Sequence, residues 1–119
     1  MQWKLDKNLP ICPQIYEKIC VLIASGKLLS GQRLYSVREV ALKAGVNPNT
    51  VQKAFENLEG TGLIYSVRGS GWFVSEDTSS ARQIVDSMIK AKTTSFFKDM
   101  QNLGVSCEKV KEYVKEWQE

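Results

Sequence analysis

The 119-residue sequence contains no histidine. That removes the commonest general base and the commonest metal ligand, and so weakens every enzymatic reading at once. Cysteine is scarce as well. Cys12, Cys20 and Cys107 form no CxxC pair and are odd in number, which argues against both a disulfide framework and a zinc site. Buried free thiols are the expectation. Long apolar runs are missing too, none approaching the roughly 18 residues that cross a bilayer. The start, MQWKLDKNLP, lacks the apolar stretch of a signal peptide, so no membrane partner and a cytoplasmic location are expected. The lone Gly69-Ser70-Gly71 has no Walker lysine behind it, and no nucleophile motif occurs. We therefore expect no enzyme activity, no cofactor and no metal.

What is present suits a folded, soluble chain: 43% hydrophobic and 24% charged residues. The net charge of +3 is unevenly spread. Residues 1–75 carry nine Lys/Arg against five Asp/Glu, whereas residues 76–119 carry seven against eight. A positive front half suits a polyanion.

Ile15, Ile19, Leu22 and Ile23 recur at helical spacing within Ile11 to Ser25, predicting a first helix that ends at Gly26. Arg33-Leu34-Tyr35 follows as a very short strand. Ser36-Val37-Arg38-Glu39 has the form of a capping box. The second helix it opens places Val37, Val40, Ala41 and Ala44 on one side and stops at Gly45. In the next stretch, GVNPNT, Asn47 is a favoured N-cap, and Pro48 at the first helical position forfeits no hydrogen bond. The third helix should bury Val51, Ala54, Phe55 and Leu58 and run to about Glu59. Its other face then holds Asn49, Gln52, Lys53 and Glu56, rich in amides.

Two helices joined through Gly45-Val46-Asn47 match a helix-turn-helix. Leu63 to Val67 and Trp72 to Val74 then read as strands around Arg68-Gly69-Ser70-Gly71, a hairpin with a basic tip. Helix, helix, helix and hairpin is the order of a winged helix-turn-helix. Glu76 to Ser80 is a polar linker, and the expected domains are 1–75 and 76–119. In the second, Val85, Met88, Ile89, Phe96, Met100 and Leu103 keep helical spacing up to Gly104. Ser106 can cap a last helix bearing Val110, Tyr113, Val114 and Trp117. Two amphipathic helices cannot enclose their own apolar faces, so a second copy is the expected partner of Val85, Met88, Ile89, Phe96, Met100, Val110, Tyr113, Val114 and Trp117. The fold class is thus mainly α with a small β-hairpin, ending in a two-helix dimerisation tail.

The stretch from Ile11 to Val74 resembles the N-terminal domain of the GntR family of bacterial transcription regulators. GKLLSGQRL, SVRE, GVNPNTV and GSGWFV carry the likeness at its separations. The short tail looks like that of the YtrA-like branch, which the resemblance implies dimerises through it. Two departures stand out: Tyr35 where the family usually has proline, and Pro48 where many members have arginine. The resemblance implies DNA contacts from Ser36, Arg38, Asn49, Thr50, Gln52 and Lys53, and a minor-groove element at Arg68-Gly69. The chemistry agrees: Asn and Gln amides pair bidentately with adenine, and a Thr methyl suits thymine. Arg38 and Lys53 suit phosphates, and Arg68 suits a narrow minor groove. The function expected is a homodimeric, sequence-specific regulator, a repressor, on a palindromic double-stranded operator; the short tail argues against a dedicated effector pocket, leaves an interhelical crevice open as a site, and does not say whether an effector binds. A winged-helix module that binds protein is the other class open to this fold, and retention on heparin or duplex DNA at low salt separates the two.

Overall fold

The computed structural model describes residues 3–119; the first two positions of the expected 1–75 domain lie outside them. The elements run α1 Ile11–Ala24, α2 Val37–Ala44, α3 Pro48–Gly60, β1 Ile64–Val67, β2 Gly71–Val74, α4 Ser80–Asn102 and α5 Cys107–Glu116. This is the mainly helical order, with one hairpin, of a winged helix-turn-helix carrying two further helices.

Two compact units divide the chain after Val85, inside α4 and ten residues beyond the end of the hairpin strand's neighbour Ser75. Ala81 and Val85 are 1% and 9% exposed, so the first turns of α4 are part of the first unit. In that unit α1 and α2 both pack on α3, and α3 packs on β1. The central helix is accordingly the most completely enclosed: Val51, Ala54, Phe55 and Leu58 are each at 0% exposure. Withdrawing a side chain of this size from water contributes about 1.5–3 kcal/mol.

Local chemistry sets the ends of the helix-turn-helix. The Ser36 hydroxyl accepts from the Glu39 amide at 3.0 Å, and the Ser36 amide donates to Glu39 Oε1 at 3.4 Å, closing the capping box. Gly45 ends α2 at φ 68°, ψ 40°, a left-handed conformation that costs glycine nothing. Asn47 Oδ1 then accepts from the Asn49 amide at 2.8 Å, and Pro48 is the first residue of α3.

The hairpin is antiparallel, with Ile64 opposite Val74, Tyr65 opposite Phe73, Ser66 opposite Trp72 and Val67 opposite Gly71. The strand expected at 33–35 is reduced to one bridge, Arg33 opposite Phe73. Its flanks still pair with β2: the Leu34 amide donates to Trp72 O at 2.7 Å, and the Val74 amide to Gln32 O at 2.9 Å. The ladder is short because the chain turns away into the Ser36 cap.

In the second unit, Gly104 at φ 83° breaks the chain after α4, and the Ser106 hydroxyl accepts from the Lys109 amide at 3.2 Å to start α5. Trp117 falls just beyond α5 in extended backbone instead of on its last turn. The thiols also differ from expectation. Only Cys20 is buried; Cys12 and Cys107 are half-buried, because each sits in the first turn of a helix, where its sulfur accepts from a surface amide, Asn57 and Gln101 respectively.

Candidate nucleic-acid interface

Burial of one side of α3 dictates what the other side presents. With Val51, Ala54, Phe55 and Leu58 turned inward, Asn49, Gln52 and Lys53 are exposed and Thr50 is half-buried. The first turn of α3 contains no acidic residue, so its amide dipoles keep an uncompensated partial positive charge. Ser36 and Arg38, at the start of α2, are exposed too. Arg38, Leu42, Gly45, Val46 and Pro48 line one shallow depression of about 380 Å³, which brings the α2 arginine to the same corner as the start of α3. Leu42 stands 82% exposed there.

Arg68 and Gly69 lie exposed at the wing tip, where Gly69 adopts φ 81° and the Ser70 amide donates to Val67 O at 2.9 Å. The wing is fastened to α3. Trp72 meets Phe55 edge-on, with ring centroids 5.6 Å apart and planes at 84°, and the Ser66 hydroxyl donates to Glu59 Oε2 at 3.2 Å. Phe73 turns the other way and stacks on Tyr65 at 5.8 Å. Alternation along the strand thus divides the two aromatics between the core and the outer side of the hairpin.

Sequence reasoning missed Arg33. Its guanidinium passes 3.5 Å from where a Cβ on Gly71 would stand, and it lines a depression of about 300 Å³ with Tyr35, Ser36 and Glu39. A signal was available: a basic residue directly ahead of the SVRE motif, and a glycine on the facing strand. Among the described residues, no carboxylate pairs with Arg33, Arg38, Lys53 or Arg68, whereas Lys43 is held by Glu39 at 3.6 Å. Four cations are therefore available to an external anion. Nearby, burial chiefly, with the Glu39 carboxylate adding to it, raises the Tyr35 phenol above its ordinary pKa. No group of three His, Cys, Asp or Glu residues among the described residues could hold a metal ion.

The residues expected at a dimer interface separate into two sets. Val85 and Val110 are 9% and 1% exposed; they are already covered within one chain and have little surface to give to a second. Ile89, Phe96, Tyr113, Val114 and Trp117 are exposed, Met88 and Met100 half-buried. Within the second unit, Phe96, Met100, Val105, Tyr113, Val114 and Trp117 line an apolar crevice of about 610 Å³.

Residues 13–74 match the family described as "Bacterial regulatory proteins, gntR family". The HTH-type transcriptional repressor YtrA of Bacillus subtilis (strain 168) is 37% identical over 112 residues, covering 92% of this chain and 85% of that protein. Among solved structures, a GntR family transcriptional regulator from Listeria monocytogenes is 38% identical with a TM-score of 0.79, covering 96% of this chain and all of the other. The crystal structure of AraR(DBD) in complex with operator ORE1 is similar over 63% of this chain and 94% of that one, at 36% identity and a TM-score of 0.54.

Proposed function

The chain belongs to the GntR family of bacterial regulatory proteins, and from that premise we propose that it is a cytoplasmic, sequence-specific transcription repressor that binds a palindromic operator as a homodimer. The observation that carries the reading is the surface built around the start of α3: exposed amides at Asn49 and Gln52, an acid-free first turn, and unpaired arginines at positions 33, 38 and 68. In this reading α3 lies in the major groove. Asn49 and Gln52 pair with adenine edges and the Thr50 methyl meets thymine. Ser36, Arg38 and Lys53, with Arg33, hold phosphates and fix the register. Arg68, projected by the tight turn at Gly69, enters the minor groove.

A second copy supplies the second half-site. The apolar crevice and the exposed Ile89, Phe96, Tyr113 and Val114 support pairing through the tail, since an exposed apolar patch of this kind marks an interaction surface. Half-sites then fall about one helical turn apart, roughly 10 base pairs, or a multiple of that.

The test is selection of bound fragments from random duplexes, followed by comparison with an Asn49→Ala, Gln52→Ala variant. The wild type should enrich an inverted repeat, and the variant should lose discrimination by about 1–3 kcal/mol for each bidentate contact removed. A variant that keeps the wild-type sequence preference and changes only the salt dependence would place base reading elsewhere.

A further inference from the structure

The segment ahead of α1 holds none of the DNA-contacting residues named above, yet it touches both ends of α2. At one end the Trp3 ring meets Tyr35 edge-on, with centroids 6.2 Å apart and planes at 88°; Tyr35 immediately precedes the Ser36 cap. At the other end Lys7 Nζ donates to Ala44 O at 3.0 Å and to Gly45 O at 2.8 Å, the last residue of α2 and its C-cap. These carbonyls lack partners inside the helix, and a cation there opposes the negative end of the helix dipole.

A third attachment holds the segment to α1. The Asp6 amide donates to Gln14 Oε1 at 2.8 Å, and Gln14 Nε2 donates back to Asp6 O at 2.9 Å and to Pro10 O at 3.0 Å. α1 and α2 each pack on α3, so the segment adds a bond across the helices that flank the recognition element.

We propose that residues 3–10 form a clasp that sets the position of α2, making Trp3 and Lys7 positioning residues for DNA binding; this rests on the DNA-binding reading above. The clasp holds Arg38, on α2, in register with Asn49 and Gln52, on α3. Gly45 belongs to the same device. A Cβ there would lie 3.3 Å from Lys7 Nζ, so glycine gives the ammonium room to reach both carbonyls.

The test uses the full chain with Trp3→Ala, Lys7→Met, the two together, and Lys7→Arg. Amide exchange without DNA and operator affinity across a salt series are measured for each. The double variant should exchange α2 amides about tenfold faster than wild type, while those of Ala54 to Leu58 stay protected, and should bind the operator about tenfold more weakly with an unchanged salt slope. Lys7→Arg should keep both at the wild-type values. Unchanged α2 exchange overturns the clasp. So does an affinity loss accompanied by a salt slope lower by about 0.9 for each protomer of the bound dimer, the mark of a lost phosphate contact. A wild type that binds no duplex defeats the DNA reading itself, and the exchange comparison then decides alone whether the segment holds α2.

Discussion

Asn47→Asp should raise stability and lower DNA affinity. The Asn47 carbonyl oxygen caps α3 by accepting from the Asn49 amide at 2.8 Å, and a carboxylate can make the same bond, since Asn and Asp rank together as N-caps. What changes is charge. A negative group at an acid-free helix start contributes about 0.3–1 kcal/mol, which for a unit of this size raises Tm by about 1–8 °C. Against DNA the same charge is repelled. One phosphate at about 7 Å costs about 0.6 kcal/mol in a water-like dielectric and about 2.4 kcal/mol at an effective dielectric of 20, or a loss of about three- to sixtyfold for each half-site engaged. Thermal melting followed by circular dichroism reads the first quantity, and fluorescence anisotropy with a selected operator at 25 °C reads the second. The affinity loss should shrink as salt is added. A variant that melts higher yet binds as tightly as wild type would show that the start of α3 does not face phosphate. One that melts lower would refute the assignment of Asn47 as a cap.

Ser36→Ala should destabilise the chain by about 1 kcal/mol through loss of the capping box, read as a fall in Tm of about 4–8 °C; an unchanged melt would mean that the hydroxyl is not the acceptor. Cys20 is buried, and that burial, opposed in part by the Tyr16 hydrogen bond, pushes its thiol up to about 11. At pH 8 only about one molecule in a thousand then carries its thiolate, so a disulfide reagent should modify Cys12 and Cys107 promptly and Cys20 only after denaturation. Three equally fast thiols would contradict the packing of α1. Tyr113→Glu combined with Trp117→Glu places charge on the apolar crevice of the second unit and should convert a dimer to a monomer in sedimentation without changing helix content; an unaltered dimer would move the interface off the tail.

The parts legible in sequence are those written locally. Ser36 and Glu39 are three residues apart, and Gly45, Asn47 and Pro48 are contiguous, so each end of the helix-turn-helix follows from rules acting within one turn. Helical spacing likewise separates the inward Val51, Ala54, Phe55 and Leu58 from the outward Asn49, Gln52 and Lys53. Arg33 stayed hidden because its place is fixed from nearly forty positions away, by β2 at Gly71 and Phe73. The fastening of the wing through Phe55 and Trp72 is of the same kind: each aromatic is legible as apolar, their meeting is not. In the tail, periodicity found both helices but treated their apolar residues alike. Nothing local distinguishes Val85 and Val110, which are buried, from Tyr113 and Val114, which are half exposed. That difference depends on what packs against each.

Three helices that begin on a side-chain cap among the described residues, α2, α3 and α5, offer a comparison within one molecule. α2 starts on Ser36 and carries Glu39 in its first turn; α5 starts on Ser106 and carries Glu108. Both place an acid against the positive end of the dipole, as a helix selected for its own stability does. α3 starts on Asn47, with Pro48, Asn49 and Thr50 behind it and no acid in its first turn. It has the caps and initiating proline of a sharply defined start but forgoes about 0.3–1 kcal/mol that a Glu or Asp would contribute. A helix end left positive, on an exposed corner beside an unpaired Arg38, is electrostatically incomplete in the free protein. In the proposed reading, phosphate completes it. This is why a carboxylate introduced at position 47 should stabilise the chain and weaken its hold on DNA together.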